Sequence, residues 1–267
     1  MRSDAANSLA FLFAGDDLRN YYEADRLAVF LRGSAEARWA PRLEMEVEDA
    51  KSLVASEQFV IFGSDPQRPN PAIDEGTVAA LRIGATHRRI GTASELSADA
   101  VVEFAEGDVA GDFTYVLADL DVGWKGRGPD SHGLEARLMA RRDLSGTLPR
   151  QRWSSVGGLA TLPTEPELGR RGTRLLFAEL TYLVPIESVQ LAMAGSPSAF
   201  GRIAVGDAWS EGSDVDLEMN LIAGLRFSAF ELGVAIDPTD DGAVDSPAGS
   251  AGPPDSSGPT VFVGLRL

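Results

Sequence analysis

Between Arg42 and Asp49 the chain alternates without a break, with Leu43, Met45 and Val47 on one side and Glu44, Glu46 and Glu48 on the other. A period of two is the signature of a β-strand whose faces meet different surroundings. A helix through the same residues would scatter the three glutamates around its circumference. The pattern recurs along the chain. Leu217, Met219, Leu221, Ala223, Leu225 and Phe227 oppose Glu218, Asn220, Ile222, Gly224 and Arg226, while Phe230, Leu232, Val234 and Ile236 alternate with Glu231, Gly233, Ala235 and Asp237. Val116, Ala118, Leu120, Val122 and Trp124 alternate with Leu117, Asp119, Asp121 and Gly123, and Leu134, Ala136, Leu138 and Ala140 face away from Glu135, Arg137, Met139 and Arg141. The fold must therefore house many two-faced strands.

Such segments number about twelve, at 7–15, 26–33, 41–51, 77–88, 98–107, 113–125, 133–143, 173–184, 200–210, 216–227, 229–236 and 259–267. Each is long enough to cross a bilayer as a tilted strand. No amphipathic helix of comparable quality competes, and Gly and Pro fall mostly between the segments, where turns need them. The reading is all-β: an antiparallel transmembrane β-barrel of about 12 strands, one domain over 1–267.

Period two alone does not separate a barrel from a soluble sandwich, because each strand looks the same in both. Loop parity tilts the choice. Numbering from the first strand, the connections 52–76, 144–172 and 237–258 gather at one end, and 34–40, 126–132 and the join at Ser228 at the other, with 185–199 the one long exception there. Long loops at one end and short turns at the other is the asymmetry of an outer-membrane barrel. The polar face carries both signs, through Glu44, Glu46, Arg82, Glu103, Asp119, Glu135, Arg137, Glu179 and Arg226, as expected of residues facing a lumen. Trp124 and Trp209 at strand ends, and Tyr21 with Tyr22, are placed for an interfacial aromatic girdle.

Composition excludes other classes. In 267 residues, 40 Asp and Glu outweigh 24 Lys and Arg for a formal charge of −16, so a nucleic-acid partner, which needs clustered positive charge, is set aside. There is no cysteine, which removes disulfides and thiolate sites, and the two histidines, His87 and His132, lack the companions that metal or triad chemistry requires. No apolar run reaches the length of a transmembrane helix. The opening MRSDAANSLAFLFAGDD is a poor secretory signal, so either the chain is soluble and cytoplasmic or it is a mature form or fragment whose export signal lies elsewhere.

The stretch PRQRWSSVGGLATLPTEPELGRRGTRLLFAELTYLVP carries a Gly157-Gly158 pair, Thr161-Leu162 followed by Pro163, a Gly-x-Arg entry at Gly172 and Arg174, and a strand with Glu179 and Tyr182. RIAVGDAW then offers Gly206, Asp207 and Trp209, LIAGLRFSAFELGVAIDP a strand pair, and PTVFVGLRL a last strand with Val261, Val263, Leu265 and Leu267 on one face and Gly264 between them. From about residue 149 onward these features resemble the C-terminal barrel of the bacterial surface antigen superfamily, the BamA-like and TamA-like outer-membrane assembly factors. NSLAFLFAGDDLRNYYEADRLAVFLRG resembles the preceding hairpins. The resemblance implies a bacterial outer-membrane location, a loop at 144–172 reaching into the lumen, and a terminal strand signal at Val263, Gly264, Leu265 and Leu267. It implies as partners outer-membrane lipid, the barrel assembly machinery and a translocated or client protein.

The chain departs from that family in two ways. Where the family's loop has an arginine that meets an acid on a downstream strand, this chain has Pro163 and Thr164, with Ala204 at the acidic position, so both halves of the pair are missing together. Losing one half would strand a charge, whereas losing both is tolerable. About seven strands precede the loop where the family has eleven, which leaves a truncated sixteen-stranded barrel or a compact barrel of twelve. The functional expectation is a non-enzymatic, cofactor-free translocation pore, assembly module or membrane anchor, with cation preference if it conducts. A soluble all-β binding module is the alternative. A barrel hydrolase using Asp130, Ser131 and His132 is a lesser one, since adjacent residues do not form a triad. The Asp-rich run TDDGAVDSPAGSAGPPDSSGP lacks the spacing of a calcium loop and reads as a solvated loop.

Overall fold

The computed structural model describes residues 22–34, 36–53, 72–190, 196–228, 230–239 and 258–265. Its strands are β1 (Tyr22–Arg32), β2 (Trp39–Ser52), β3 (Gly76–Ile90), β4 (Ser94–Ala105), β5 (Tyr115–Arg127), β6 (Gly133–Gly146), β7 (Ser154–Val156), β8 (Arg170–Gly172), β9 (Arg174–Pro185), β10 (Ser198–Trp209), β11 (Glu218–Arg226), β12 (Phe230–Ile236) and β13 (Thr260–Leu265). Eleven of them form one sheet in the order β1-β2-β3-β4-β5-β6-β9-β10-β11-β12-β13, every neighbour antiparallel. The order follows the chain, as expected when short connections join strands that each already have a two-faced pattern. Helix is confined to single turns, Gly107–Ala110, Pro129–Ser131 and Arg150–Arg152.

All the expected segments from 26–33 to 259–267 match a strand of this sheet within a few residues at each end. The segment 7–15 lies outside the described residues, and among those described β1 and β13 are the two edges of the sheet, with no ladder joining them. The loop expected at 144–172 starts later, because β6 runs on to Gly146, and it is not irregular throughout: β7 and β8 pair as a small separate hairpin within it. The alternation there is too short to register as a strand. The strand ends that flank 53–75, 106–114, 147–173, 210–217 and 237–259 lie at one end of the sheet, and those that flank 33–38, 91–93, 128–132, 186–197 and 227–229 at the other.

The register assigns every strand residue to a face. Leu27, Val47, Ala79, and likewise Val29, Met45, Leu81 and Phe104, stand side by side on one face, and Glu46 with Ala80 and Glu44 with Arg82 and Glu103 on the other. The apolar face is open: Leu27 is 72% exposed, Met45 62% and Val263 60%. The charged face is closed: Glu46 is 2% exposed, Glu103 6% and Glu231 7%. This inverts the usual globular arrangement, in which apolar residues are buried and carboxylates are almost never fully buried unless paired. Among the described residues no second layer covers the Leu43, Met45 and Val47 face, as a sandwich would require.

The sheet curves toward its charged face. Arg226 on β11 donates to Glu135 on β6 at 2.8 Å. In register, Arg226 lies opposite Ser198, Ser198 opposite Pro185, and Glu135 opposite Thr181, so the pair is three strands and four residues apart. On a flat sheet that separation is about 19 Å between Cα atoms, beyond the combined reach of the two side chains. Inside the curve two apolar clusters sit near the long-connection end. One joins Val78, Ala80, Ala105, Tyr115, Leu117 and Leu148, and the other joins Val156 and Leu162 to Phe177, Ala204, Ile222 and Phe262. Leu148, Val156 and Leu162 all come from the 147–173 connection, so that segment supplies the packing that the strands' inner face lacks.

Candidate functional site

The site is the charged inner face together with the 147–173 segment laid on it. Local backbone chemistry shapes that segment first. Gly157 adopts φ +123° and Gly158 φ +72°, and a Cβ on Gly157 would stand 2.1 Å from the Pro166 carbonyl oxygen, so only glycine fits this turn. The Thr161 hydroxyl closes the turn, accepting from the Gly157 amide at 2.8 Å and donating to the Gly157 carbonyl at 3.0 Å. Leu162, fully buried, and the buried Pro163 follow, and the Thr164 amide donates to Asn220 Oδ1 on β11 at 3.0 Å. Asn220 is the cross-strand partner of Ala204. The segment therefore meets β10 and β11 without a charge pair at Pro163 or Ala204. A part-buried amide hydrogen bond holds it instead.

Its other half is held by arginines. Arg152 donates to Glu46 Oε1 at 2.6 Å, lies 3.6 Å from Glu48 and 3.7 Å from Glu103, and its carbonyl accepts from Arg141 at 2.8 Å. Glu46 is the hub: Arg82 binds it at 2.6 and 3.2 Å, and Arg26 reaches it from β1. Arg82 also binds Glu103 at 2.6 Å and Glu44 at 3.0 Å, and the Tyr115 hydroxyl donates to Glu103. Beside this hub Arg150 pairs with Asp74 at 2.6 Å, and the Gln151 amide group exchanges hydrogen bonds with the Asp74 backbone at 3.1 and 2.9 Å. At the far side Arg170 joins Glu218 and lies 3.2 Å from Asp216 and 3.4 Å from Asp207.

The electrostatics follow from these neighbours. Burial opposes the charge on Arg152, but the carboxylates of Glu103 and Glu48 outweigh it and raise its pKa further. Burial likewise opposes the Arg170 charge, and Glu218, Asp216 and Glu165 overcome it. A hydrogen bond from the Arg150 side chain holds the Asp74 carboxyl below the usual aspartate range. Desolvated charges of this kind are tolerable only when paired, and each here has its partner.

The residues read as lumen-facing all lie on the charged face, but they form several groups. Glu44, Glu46, Arg82 and Glu103 share the hub described above. Asp119 pairs with Arg141 at 3.0 Å, and Arg137 with Asp121 at 2.7 Å. Glu135 binds Arg226, which also binds Glu231 at 2.6 Å, and Glu179 lies 4.0 Å from Arg202. Sequence reading placed Glu48 and Asn220 on the polar face without naming them as candidates, and it missed Arg152, Arg26, Tyr115 and Arg202. The last three occupy inner-face parity positions and were open to the same rule, whereas Arg152 lies in a connection where periodicity has no meaning.

Other expected placements differ. Tyr22 is not part of an outward girdle: its hydroxyl donates to Glu48 on the inner face at 3.3 Å, because even-numbered residues of β1 face inward. Tyr21 lies outside the described residues. Asp130 and Ser131 have φ of 54° and 62° in the turn before β6, and His132 pairs through Nδ1 with the Tyr182 hydroxyl. Val263 and Gly264 lie in β13, Leu265 ends it, and Leu267 is outside the described residues, as is most of the Asp-rich run. Among the described residues no group of three or more His, Asp or Glu side chains is arranged to hold a metal ion.

Carboxylates saturated by guanidinium groups are poor general acids or bases, since both partners are fixed in their charged forms. What this arrangement does chemically is hold a chain segment inside a curved sheet by charge and shape. No protein-family model matches the chain, and no curated protein matches it.

Proposed function

We propose that this chain is an integral outer-membrane β-barrel that holds its own 147–173 segment in its interior, and that it serves as a membrane anchor or a closed assembly and translocation module of the surface-antigen type. One observation carries the reading: the apolar face of an eleven-stranded sheet is exposed while its charged face is buried and ion-paired. Water disfavours that polarity strongly over so many residues, and a hydrocarbon surround reverses the sign. The placing of the three longest connections, 53–75, 147–173 and 237–259, at one end and the run of the 147–173 segment from Glu46 on β2 to Asn220 on β11 support it further. The segment fills much of the inner face, which favours a barrel closed at rest over an open pore.

The test is refolding into detergent followed by electrophoresis with and without heating, together with fractionation of cells producing the protein with an export signal. A heat-modifiable band and recovery with outer membranes are expected. A monodisperse monomer in plain buffer would favour the soluble binding module instead.

A further inference from the structure

At the end of the sheet bearing the short connections, the exposed face changes character. Trp39 on β2 lies beside His87 on β3, their ring centroids 4.2 Å apart, and Trp39 is 62% exposed. Two residues on from His87 along the same face comes Arg89, whose register partner is Leu96, and the partner of Leu96 is Trp124. Trp124 lies opposite Ala136, and two residues before it on the same face Leu134 lies opposite Tyr182, 48% exposed. Basic side chains edge it. The Arg38 carbonyl accepts from the Arg88 amide at 3.0 Å, and the Arg127 amide donates to the Ala93 carbonyl at 2.8 Å, which ties the ends of β2, β3 and β5 into one rim.

Arg89 on the outward face, and Arg38 and Arg127 at strand ends one residue out of step with it, are exposed, and none has a carboxylate within ion-pair distance among the described residues; Arg88 is paired with Glu95 at 2.8 Å. At the opposite end of β1 and β2 the same face carries Glu23, Asp25 and Asp49, relieved only by Lys51. Among the described residues these three exposed arginines without an ion pair therefore stand at this end, beside the exposed Trp39 and the half-buried Trp124, against one, Arg142, on the outward face at the other end, in a chain with formal charge −16.

We infer that this rim, Arg38, Arg89 and Arg127 with Trp39 and Trp124, is a binding surface for anionic phospholipid headgroups, and that it sets the short-connection end in the phospholipid leaflet. The inference rests on the membrane reading above. Aromatic rings suit the headgroup level, where one edge is apolar and the other wet. Guanidinium groups one position further out meet phosphates with bidentate geometry. An acidic protein partner would match the arginines but not the continuity of the row with the apolar face.

The test reconstitutes the full chain into vesicles of phosphatidylcholine containing brominated phosphatidylglycerol or brominated phosphatidylcholine, and compares quenching of tryptophan fluorescence. At low ionic strength a preference for phosphatidylglycerol of roughly fivefold is expected, the worth of one arginine at an anionic surface, falling to near unity in the R38Q/R89Q/R127Q variant. Equal quenching by both lipids in the vesicle-bound wild type would overturn the inference alone and leave the rim to an acidic protein partner. A preference retained by the triple variant would overturn the assignment of these arginines. Failure to stay with either vesicle would overturn the membrane reading and this inference with it.

Discussion

Arg152 and Glu46 are 106 residues apart in the chain, yet Arg152 Nη2 lies 2.6 Å from Glu46 Oε1. The Glu46 carboxylate is fully buried, and two further arginines, Arg26 and Arg82, converge on it. The contact ties the 147–173 segment to the N-terminal strands, as Thr164 and Asn220 tie it to the C-terminal ones. The segment thereby bridges the two halves of the sheet.

Replacing Arg152 by alanine leaves part of a buried acidic cluster uncompensated. Removing one partner of a buried ion pair costs about 3–5 kcal/mol. With Arg26 and Arg82 still serving Glu46, the lower end of that range is expected. Urea titration in detergent should register it, and Arg152→Lys should recover part of the loss.

The exposed apolar face gives a sharper test of surroundings than any location assay. Leu120 sits midway along the outward row of β5 and is 38% exposed. In a bilayer, Leu120→Arg should cost about 2–4 kcal/mol. A residue in water at that exposure would change stability by no more than about 0.5 kcal/mol. Unfolding of the variant from lipid vesicles distinguishes the two.

Asp74 supplies a pH dependence. Arg150 holds its folded pKa below the ordinary value, so its contribution is complete above about 3.9 and is lost as pH falls from there toward the depressed value. The Arg150 amide, which donates to Asp74 Oδ2 at 2.8 Å, should lose hydrogen-exchange protection over that acid range, after correction for intrinsic rates. Asp74→Asn should weaken that protection at neutral pH and abolish its acid dependence.

Gly157→Ala should loosen the inserted segment while sparing the sheet. Its φ of +123° belongs to glycine, and the added methyl meets the Pro166 carbonyl. A cost of about 1–3 kcal/mol confined to this turn is expected. Protease should cut within 147–173 faster, with the sheet's amide protection retained.

The positions of the eleven strands of the main sheet and the division of each into an oily and a charged face were legible in the sequence, because alternation is a local property that each strand carries by itself, whereas the three-residue β7 and β8 are too short to show it. Alternation is also blind to direction: Leu43, Met45 and Val47 would read identically inside a sandwich or outside a barrel. Only the assembled sheet decided that they stand exposed while Glu44, Glu46 and Glu48 lie buried, or half-buried, beneath. It alone decided the path of 147–173, since the segment's Gly157-Gly158 turn was visible but its destination was not. Arg152 finding Glu46, and Arg226 finding Glu135, depend on curvature, which arises from how many strands pair in what register. No window of sequence short enough to show a period contains that information.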